Sequence, residues 1–527
     1  MSYIPVVIVG AGPSGLAMAC ELKRHGIAFR IIDKRPEATR TSNAAAIQPR
    51  TLEIFHQMGL IDRFLSKGIR CQGAEMHMGN SRRFLPFDQL HSPYPFIMML
   101  AQSETEVILI DRLGERGVRI ERNTELSGLQ KVEGRYELTI GREGQHELLV
   151  CDWVIACDGA HSAVRKLTST PFSGDDLPDN FMVADVELRD ALPTDRVQLY
   201  DDNGLLLGLF PLGQHYRLVA NGVNPKTDIT EAMIAKLIKH RTHNACELSQ
   251  VVWASPFWIH SRMAEHLRRD AIFFIGDAAH IHSPVGGQGM NTGIQDAHNL
   301  AWKLALVLRG EASSKLLDSY EAERLPVIRD IVKATERMTE IMASRWRLMN
   351  LVRRTFFWVL SRTPGLREKI SNRVGQLSIR YANSPIINTQ HVPKNAPVQP
   401  GERAPDAVIS GNMTLFDYFK QPRHTVLIFT GLTPSGRANE EAKVLYSWLR
   451  ECFDHLVQAY AVVVNPIDIE TGVILDTAGT LHRAYAATGT RLCIIRPDGV
   501  IALFQELLDE EAVQTYFNVL LKERVEA

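Results

Sequence analysis

Two stretches of this 527-residue chain place glycines and carboxylates where they could hold a dinucleotide. In the first, Gly10-Ala-Gly12-Pro13-Ser14-Gly15 follows the apolar run 4–9, opens a helix-length segment at 16–25, and precedes a second β-rich run, 29–33, that ends at Asp33. Glycines let backbone amides approach a pyrophosphate at a helix N-terminus, and a carboxylate at the next strand end can accept hydrogen bonds from a ribose hydroxyl. Asp33 has that place, and Lys34 is carried with it as a candidate contact. Strand, glycine turn, helix and strand together form the βαβ unit of a parallel doubly wound sheet.

The glycine loop alone does not say which dinucleotide is held. The second stretch, Ala271 to Lys303, runs from the strand-like AIFFI through Gly276-Asp277 and a glycine-dense loop (Pro284, Gly287, Gly289) into another helix N-terminus at Met290-Asn291. A flavin needs such a site. Asp277 can bond a ribityl chain, the loop can lie against the ring with little side-chain bulk, and the amides of Met290 and Asn291 can face the pyrimidine carbonyl. A helix N-terminus favours the negative charge of a reduced flavin there. His280 and His282 form an H-x-H without a third or fourth ligand at fitting spacing, so no metal is assigned.

Here the chain resembles the single-component (group A) flavoprotein hydroxylases, the family of p-hydroxybenzoate and phenol hydroxylases, whose signature G-D-A-A-H-x-x-x-P-x-G-G-x-G-x-N it carries from Gly276 to Asn291. Cys157-Asp158-Gly159-Ala-His-Ser162-Ala-Val-Arg165 is similar to the family's Asp-Gly motif, which serves both FAD and the nicotinamide cofactor, with Asp158 and Arg165 near the latter. Gln102 stands where the family contacts the flavin side, and Tyr320-Glu-Ala-Glu-Arg324-Leu-Pro326 is a further family-like segment. Residues 398–527 resemble the thioredoxin-like C-terminal domain of the phenol and polyketide hydroxylase branch, anchored by Gly401–Pro405 and Arg496-Pro-Asp-Gly499. Two positions depart from the family. Asn43 replaces an arginine that in many relatives helps hold the FAD phosphates, and Asp33 replaces the more frequent Glu.

The resemblance implies bound FAD reduced by NADPH or NADH, then O2 addition and transfer of oxygen from a flavin C4a-hydroperoxide to a small phenolic or polyaromatic substrate. No second G-x-G-x-x-G in strand-helix context exists, so the nicotinamide cofactor is expected to visit transiently. Tyr200 and Arg217 are the candidates for orienting a substrate or stabilising its phenolate. The competing reading makes Tyr200 a turn-flanking surface residue and Arg217 a sheet-face salt-bridge partner. A Baeyer-Villiger or epoxidising enzyme on a polyketide, or a flavin-bearing binding protein without turnover, remain alternatives.

The expected architecture is α/β. A Rossmann-like FAD-binding domain (1–175) is interrupted by an antiparallel-sheet substrate domain (176–266) and resumes with helices at 267–384. A linker (385–405) and a thioredoxin-like domain (406–527) follow. The composition, 45% hydrophobic and 23% charged, is that of a globular protein, and 59 basic against 60 acidic residues leaves no broad nucleic-acid footprint. Seven scattered cysteines without C-x-x-C suit a reducing cytoplasm, and the N-terminus shows no export signal. A homodimer is left open. The run 348–366 is interrupted by Arg353, Arg354 and Arg362, which excludes a transmembrane span. A helix on a membrane surface and a helix packed on its own domain both fit this Arg-rich, Trp-rich segment.

Overall fold

In the computed structural model the described residues are 2–39, 44–79, 81–142, 144–190, 192–223, 229–283, 286–389, 392, 398–411 and 413–521, with the side chains of 176–179, 257–260 and 347 also outside the description. Asn43 and Pro284, both singled out above, lie outside the described residues.

The valine- and isoleucine-rich strand Ser2–Val9 is central to the first sheet, paired in parallel with Phe29–Ile32 on one side and Gln145–Ala156 on the other. The sheet's path runs Arg268–Arg269, Ile272–Phe274, Gln145–Ala156, Ser2–Val9, Phe29–Ile32, Ile120–Glu121, with Thr124–Val132 and Arg135–Arg142 branching from it. Continuous apolar runs such as Val6–Val9 are what a strand buried on both faces requires. Helix Pro13–Arg24 packs against helix Gly289–Leu308, so the two glycine motifs sit side by side. Their closeness is set by missing side chains. A Cβ on Gly276 would lie 2.3 Å from Ser14 Oγ, and one on Gly293 2.2 Å from it.

The second sheet has eight strands in the order His280–Ile281, Leu248–Ala264, Phe172–Leu188, His215–Asn221, Leu205–Leu212, Arg196–Asp202, Gly73–Met78, Ser81–Pro86. It begins before residue 176 and takes in two strands from 73–86, which sequence alone assigned elsewhere. The pairing of Gly73–Met78 with Arg196–Asp202 is parallel and more than a hundred residues apart in the chain, so no local signal announces it. The Asp-Asn-Gly turn does behave locally. Asn203 (φ +54°) and Gly204 (φ +87°) both adopt the left-handed backbone that a tight two-residue hairpin demands.

Helices Asp318–Ala343, Arg347–Arg362 and Pro364–Val374 close the side of the second sheet. Buried Arg353 fastens the middle helix, giving Nε to Asp201 Oδ2 (2.8 Å) and Nη1 to the carbonyls of Ile341 and Ser344. The C-terminal sheet has the order Val473–Leu475, Val457–Val463, His424–Phe429, Arg491–Ile495, Ile501–Gln505, with Arg491–Ile495 antiparallel to His424–Phe429. No helix among the described residues is long and apolar enough to cross a membrane.

Candidate active site

A cavity of about 2190 Å³ runs from the first glycine loop, past the second, into the space between the second sheet and the three helices. Single-ligand pockets are commonly about 300–1,000 Å³, so this one has room for two molecules end to end. Of the expected cofactor residues, Gly10, Gly12, Pro13, Ser14, Asp33, Lys34, Gln102, Asp158, Gly159, Arg165, Asp277, Gly287, Gly289 and Met290 all line it. Gly15, Gly276 and Asn291 lie behind the wall. A Cβ on Gly15 would come 2.0 Å from Gly10's carbonyl oxygen, so its role is backbone packing.

The glycine loop separates fold from binding. Gly10 has φ +102°, and a Cβ there would meet the Cys157 carbonyl at 2.3 Å, whereas a Cβ on Gly12 would find nothing nearer than an Arg35 nitrogen at 4.0 Å. Gly12 therefore holds open space over the N-terminus of helix Pro13–Arg24. Asp33 accepts the Ala11 amide (2.7 Å) and the Arg35 amide (2.8 Å), and meets the Arg35 guanidinium at 3.1 Å and Arg122 at 3.4 Å. Burial alone would raise the Asp33 carboxyl, but Arg35 and these amides hold it below its usual value. Sequence reading named Lys34 and missed Arg35 and Arg122. Arg35 sits two residues beyond Asp33, where a cation beside a ribose-binding acid could have been suspected; Arg122 comes from a distant strand end and had no signal.

Asp158 caps helix Ala163–Leu167, accepting the amides of Ala163 (2.6 Å) and Val164 (3.1 Å) through Oδ2. Its Oδ1 is buried with no partner among the described residues, and burial pushes the carboxyl up against the hydrogen bonds that stabilise its charge. Arg165 instead donates to the carbonyls of Ala278 (2.9 Å) and Ala160 (2.6 Å) and stacks over Phe172, tying this helix to the Gly276–Ala278 turn. Asp277 is exposed within the cavity yet deep in the protein, its carboxyl raised by desolvation, and no described residue hydrogen-bonds it.

In the second loop, Asn291 Nδ2 donates to the carbonyls of Ala46 (2.9 Å) and Gly287 (2.7 Å), while its Oδ1 accepts the Gln48 amide (2.9 Å). This side chain shapes the loop, which leaves the amides of Gly289, Met290 and Asn291, in the first turn of their helix, without intrahelical acceptors. His280 meets Asp296 at 2.7 Å, and Asp296 is held in turn by Arg324 (2.8 Å) of the Tyr320–Pro326 segment. His282 Nδ1 lies 3.1 Å from the Ser283 carbonyl, and burial lowers the imidazole to about 4.

The far compartment is apolar, with Met76, Leu85, Leu199, Leu207, Val219 and Phe357 in its wall. Tyr200 is buried and edges the cavity, its ring stacked on His77 (4.3 Å) and its hydroxyl 3.9 Å from Cys246 Sγ, with burial raising the phenol. Tyr200 is therefore no surface turn residue. Arg217 grips Asp185 through Nε and Nη2 (both 2.9 Å) and sends Nη1 toward the Ala44 carbonyl (3.3 Å), while Trp253 Nε1 donates to the same Asp185 (2.6 Å).

Unpaired carboxylate atoms, an open Gly12 cradle and donor amides at two helix N-termini fit a bound FAD. A model of the FAD binding domain family matches residues 3–335. The chain is 34% identical over 518 residues to 6-methylpretetramide 4-monooxygenase of Streptomyces rimosus, covering 94% of this chain and 90% of that one. The chain belongs to the FAD-dependent aromatic monooxygenases. It is also 33% identical to pentachlorophenol 4-monooxygenase of Sphingobium chlorophenolicum, over 94% and 93% of the two chains. Among solved structures, the anhydrotetracycline hydroxylase of Streptomyces rimosus superposes with a TM-score of 0.77 at 26% identity, covering 98% and 99% of the chains. The flavin-dependent monooxygenase PieE, solved with FAD and substrate, shares the fold at TM-score 0.79 and 20% identity over 98% of each chain. This enzyme is thus an FAD-dependent monooxygenase that hydroxylates aromatic substrates.

Proposed function

We propose that the substrate is a phenolic or fused-ring aromatic held in the apolar compartment between the second sheet and helices Asp318–Val374, and that NADPH or NADH reaches the flavin transiently from outside. The observation that carries this reading is the continuity of one cavity, too large for a single ligand, from the glycine loops into an apolar space. Relatives named for pentachlorophenol and for a pretetramide bracket a single ring and a fused polycycle. Their activities do not favour oxygen insertion beside a ketone.

Bound flavin supplies acceptance of hydride and activation of O2; the chain does the rest. Gly12, Asp33 and Lys34 hold the adenosine and phosphate end, Gln102, Asp158 and Asp277 the middle, and the amides after Gly287 the pyrimidine edge. The first-turn amides of helix Gly289–Leu308 favour negative charge there. Apolar walls exclude water from the reacting ring. Arg217, fixed by Asp185, orients the substrate, and Tyr200 contributes wall.

The division 1–175, 176–266, 267–384, 385–405 and 406–527 serves this reading, with strands 73–86 added to the substrate unit. A thioredoxin-like C-terminal unit is supported by its β-α-β then β-β-α order around the central pair His424–Phe429 and Arg491–Ile495. Unpaired cysteines, six of them buried, support a reducing cytosol.

The test is to incubate the holoenzyme with NADPH and a panel of phenols and fused-ring phenols, following NADPH oxidation and product mass under isotopically labelled O2. Single-oxygen incorporation into a ring is expected. Arg217→Lys should lower coupling of NADPH oxidation to product while Tyr200→Phe leaves it near wild type. Equal coupling in Arg217→Lys and wild type removes Arg217 from the site.

A further inference from the structure

Eight of the twenty large hydrophobic side chains exposed among the described residues lie within residues 338–358: Met338, Ile341, Trp346, Leu348, Leu351, Val352, Phe356 and Trp358. The other twelve are scattered along the chain, as single exposed apolar residues normally are. Trp346, Leu348 and Leu351 are 76%, 67% and 61% exposed, so this is no partly covered core. On helix Arg347–Arg362, residues 348, 351, 352, 355 and 358 recur at three- and four-residue spacing on one face, and Arg353, Phe357 and Leu360 are buried on the other.

The same stretch has an extreme charge. From Ile341 to Arg367 the sequence contains six arginines and no acidic residue, in a chain whose net charge is −1. Arg345, Arg354 and Arg362 are exposed, whereas Arg353 is neutralised by Asp201. The nearest acids in sequence, Glu340 and Glu368, flank the run, and Glu368 faces His91 at 3.2 Å. Exposed apolar residues, tryptophans and exposed arginines within one short stretch are the composition of a segment that lies in a lipid headgroup layer.

The patch is also the rim of the active-site cavity. Met338, Ile341, Val352 and Phe356 are exposed and also line the cavity, so the stretch borders it. We propose that this face docks on an anionic membrane surface and that aromatic substrates enter the cavity directly from the bilayer. Substrate entry rests on the function proposed above; the docking does not. A second copy is the poorer occupant, because a two-fold self-interface sets the patch against the same patch and so brings the cations Arg345, Arg354 and Arg362 of one copy toward those of the other with no acidic residue of this stretch between them.

The holoenzyme is sedimented with vesicles of phosphatidylcholine alone and of phosphatidylcholine mixed with phosphatidylglycerol, at low and high salt. Binding to the mixed vesicles is expected, several-fold weaker at high salt and weaker still to phosphatidylcholine. Leu348→Ser with Leu351→Ser should reduce partitioning on the order of ten-fold into both. Arg345→Gln with Arg354→Gln and Arg362→Gln should bring the mixed vesicles down to the phosphatidylcholine level by a similar factor. All these side chains are exposed, and equal melting temperatures check that the variants fold. Wild-type protein left in the supernatant with the mixed vesicles overturns the proposal. So does undiminished binding by the serine variant, or a dimer in solution that this variant dissociates. No arm requires turnover, so failure of the proposed substrate class is read separately.

Discussion

Two buried polar regions of this enzyme are built on opposite rules. Around the cavity, Asp158 Oδ1, Gln48 Oε1, His282 Nε2 and Arg367 Nε are buried without partners among the described residues, and the Asp277 carboxylate is unpaired as well. Where the Arg496-Pro-Asp-Gly499 turn meets helices Gly289–Leu308 and Asp318–Ala343, the buried charges Glu323, Asp498, Arg496 and Lys303 all find partners, and Gln57 Nε2 beside Gly499 is left over among the described residues. Arg496 bonds both Glu323 oxygens (2.6 and 3.0 Å) and clasps Asp498, Lys303 Nζ donates to Glu323 (2.7 Å), and Ser384 Oγ donates to it (2.6 Å). Trp302 Nε1 and Arg50 Nη2 complete Asp498 at its carboxylate and its carbonyl (3.2 and 2.9 Å). Burial would raise Glu323, yet Arg496 and Lys303 hold it well below the usual carboxylate range. Paired buried charges mark groups kept for structure; unpaired polar atoms that also line the cavity mark where ligand atoms belong.

The largest effects should come from breaking the paired region or the backbone beneath the unpaired one. Arg496→Met strands Glu323 and Asp498 in the interior and should cost about 3–5 kcal/mol, read by urea unfolding, with flavin affinity unchanged in the fraction that folds. Gly10→Ala, at φ +102° and 2.3 Å from a carbonyl, should yield little folded protein, whereas Gly12→Ala should melt near wild type and bind FAD weakly. Similar melting and FAD affinity in the two alanine variants would dissolve the distinction between fold glycine and binding glycine.

Next in size is Asp277→Asn. Losing charge-assisted hydrogen bonds should weaken FAD by roughly ten-fold or more, measured by fluorescence titration of the apoprotein. Apoprotein stability should stay level or rise, because an unpaired desolvated charge is removed. A large fall in apoprotein stability would place Asp277 with the structural network instead.

The smallest effect is a pH slope. Burial lowers His25, His282 and His424 to about 3, 4 and 3, while an unfolded histidine titrates near about 6.5. The unfolded chain therefore binds more protons as pH drops from there toward 4, and stability falls by roughly 1 kcal/mol per pH unit per histidine. His282→Gln, on the cavity side, and His424→Gln, beside Tyr516 in the C-terminal unit, should each flatten the melting-temperature profile over that window. Slopes identical to wild type would mean that these imidazoles are hydrated in the folded state.

The cofactor half was legible because its requirements are local. A turn that needs glycine, an acid at a strand end and a helix opening beside it are neighbours in sequence, so Gly10 to Gly15, Asp33 and Gly276 to Asn291 announce themselves. The Asp-Asn-Gly hairpin and the helix at 289–308 were readable for the same reason. Lys34 was named and lines the cavity, while Arg35, which lines it too and bonds Asp33, was missed, since a three-residue window cannot say which side chains turn inward.

What sequence by itself determined is the βαβ cradle and the flavin loop, whose backbone demands only a few residue types satisfy. Only the tertiary structure decided that strands 73–86 complete the substrate sheet, that Tyr200 spends its hydroxyl on Cys246 and Arg217 its fork on Asp185, and that the Arg496-Pro-Asp-Gly499 turn reaches Glu323. Those outcomes depend on which distant partners meet in a low-dielectric interior, where pairing sets the energy and spacing along the chain carries no record of it.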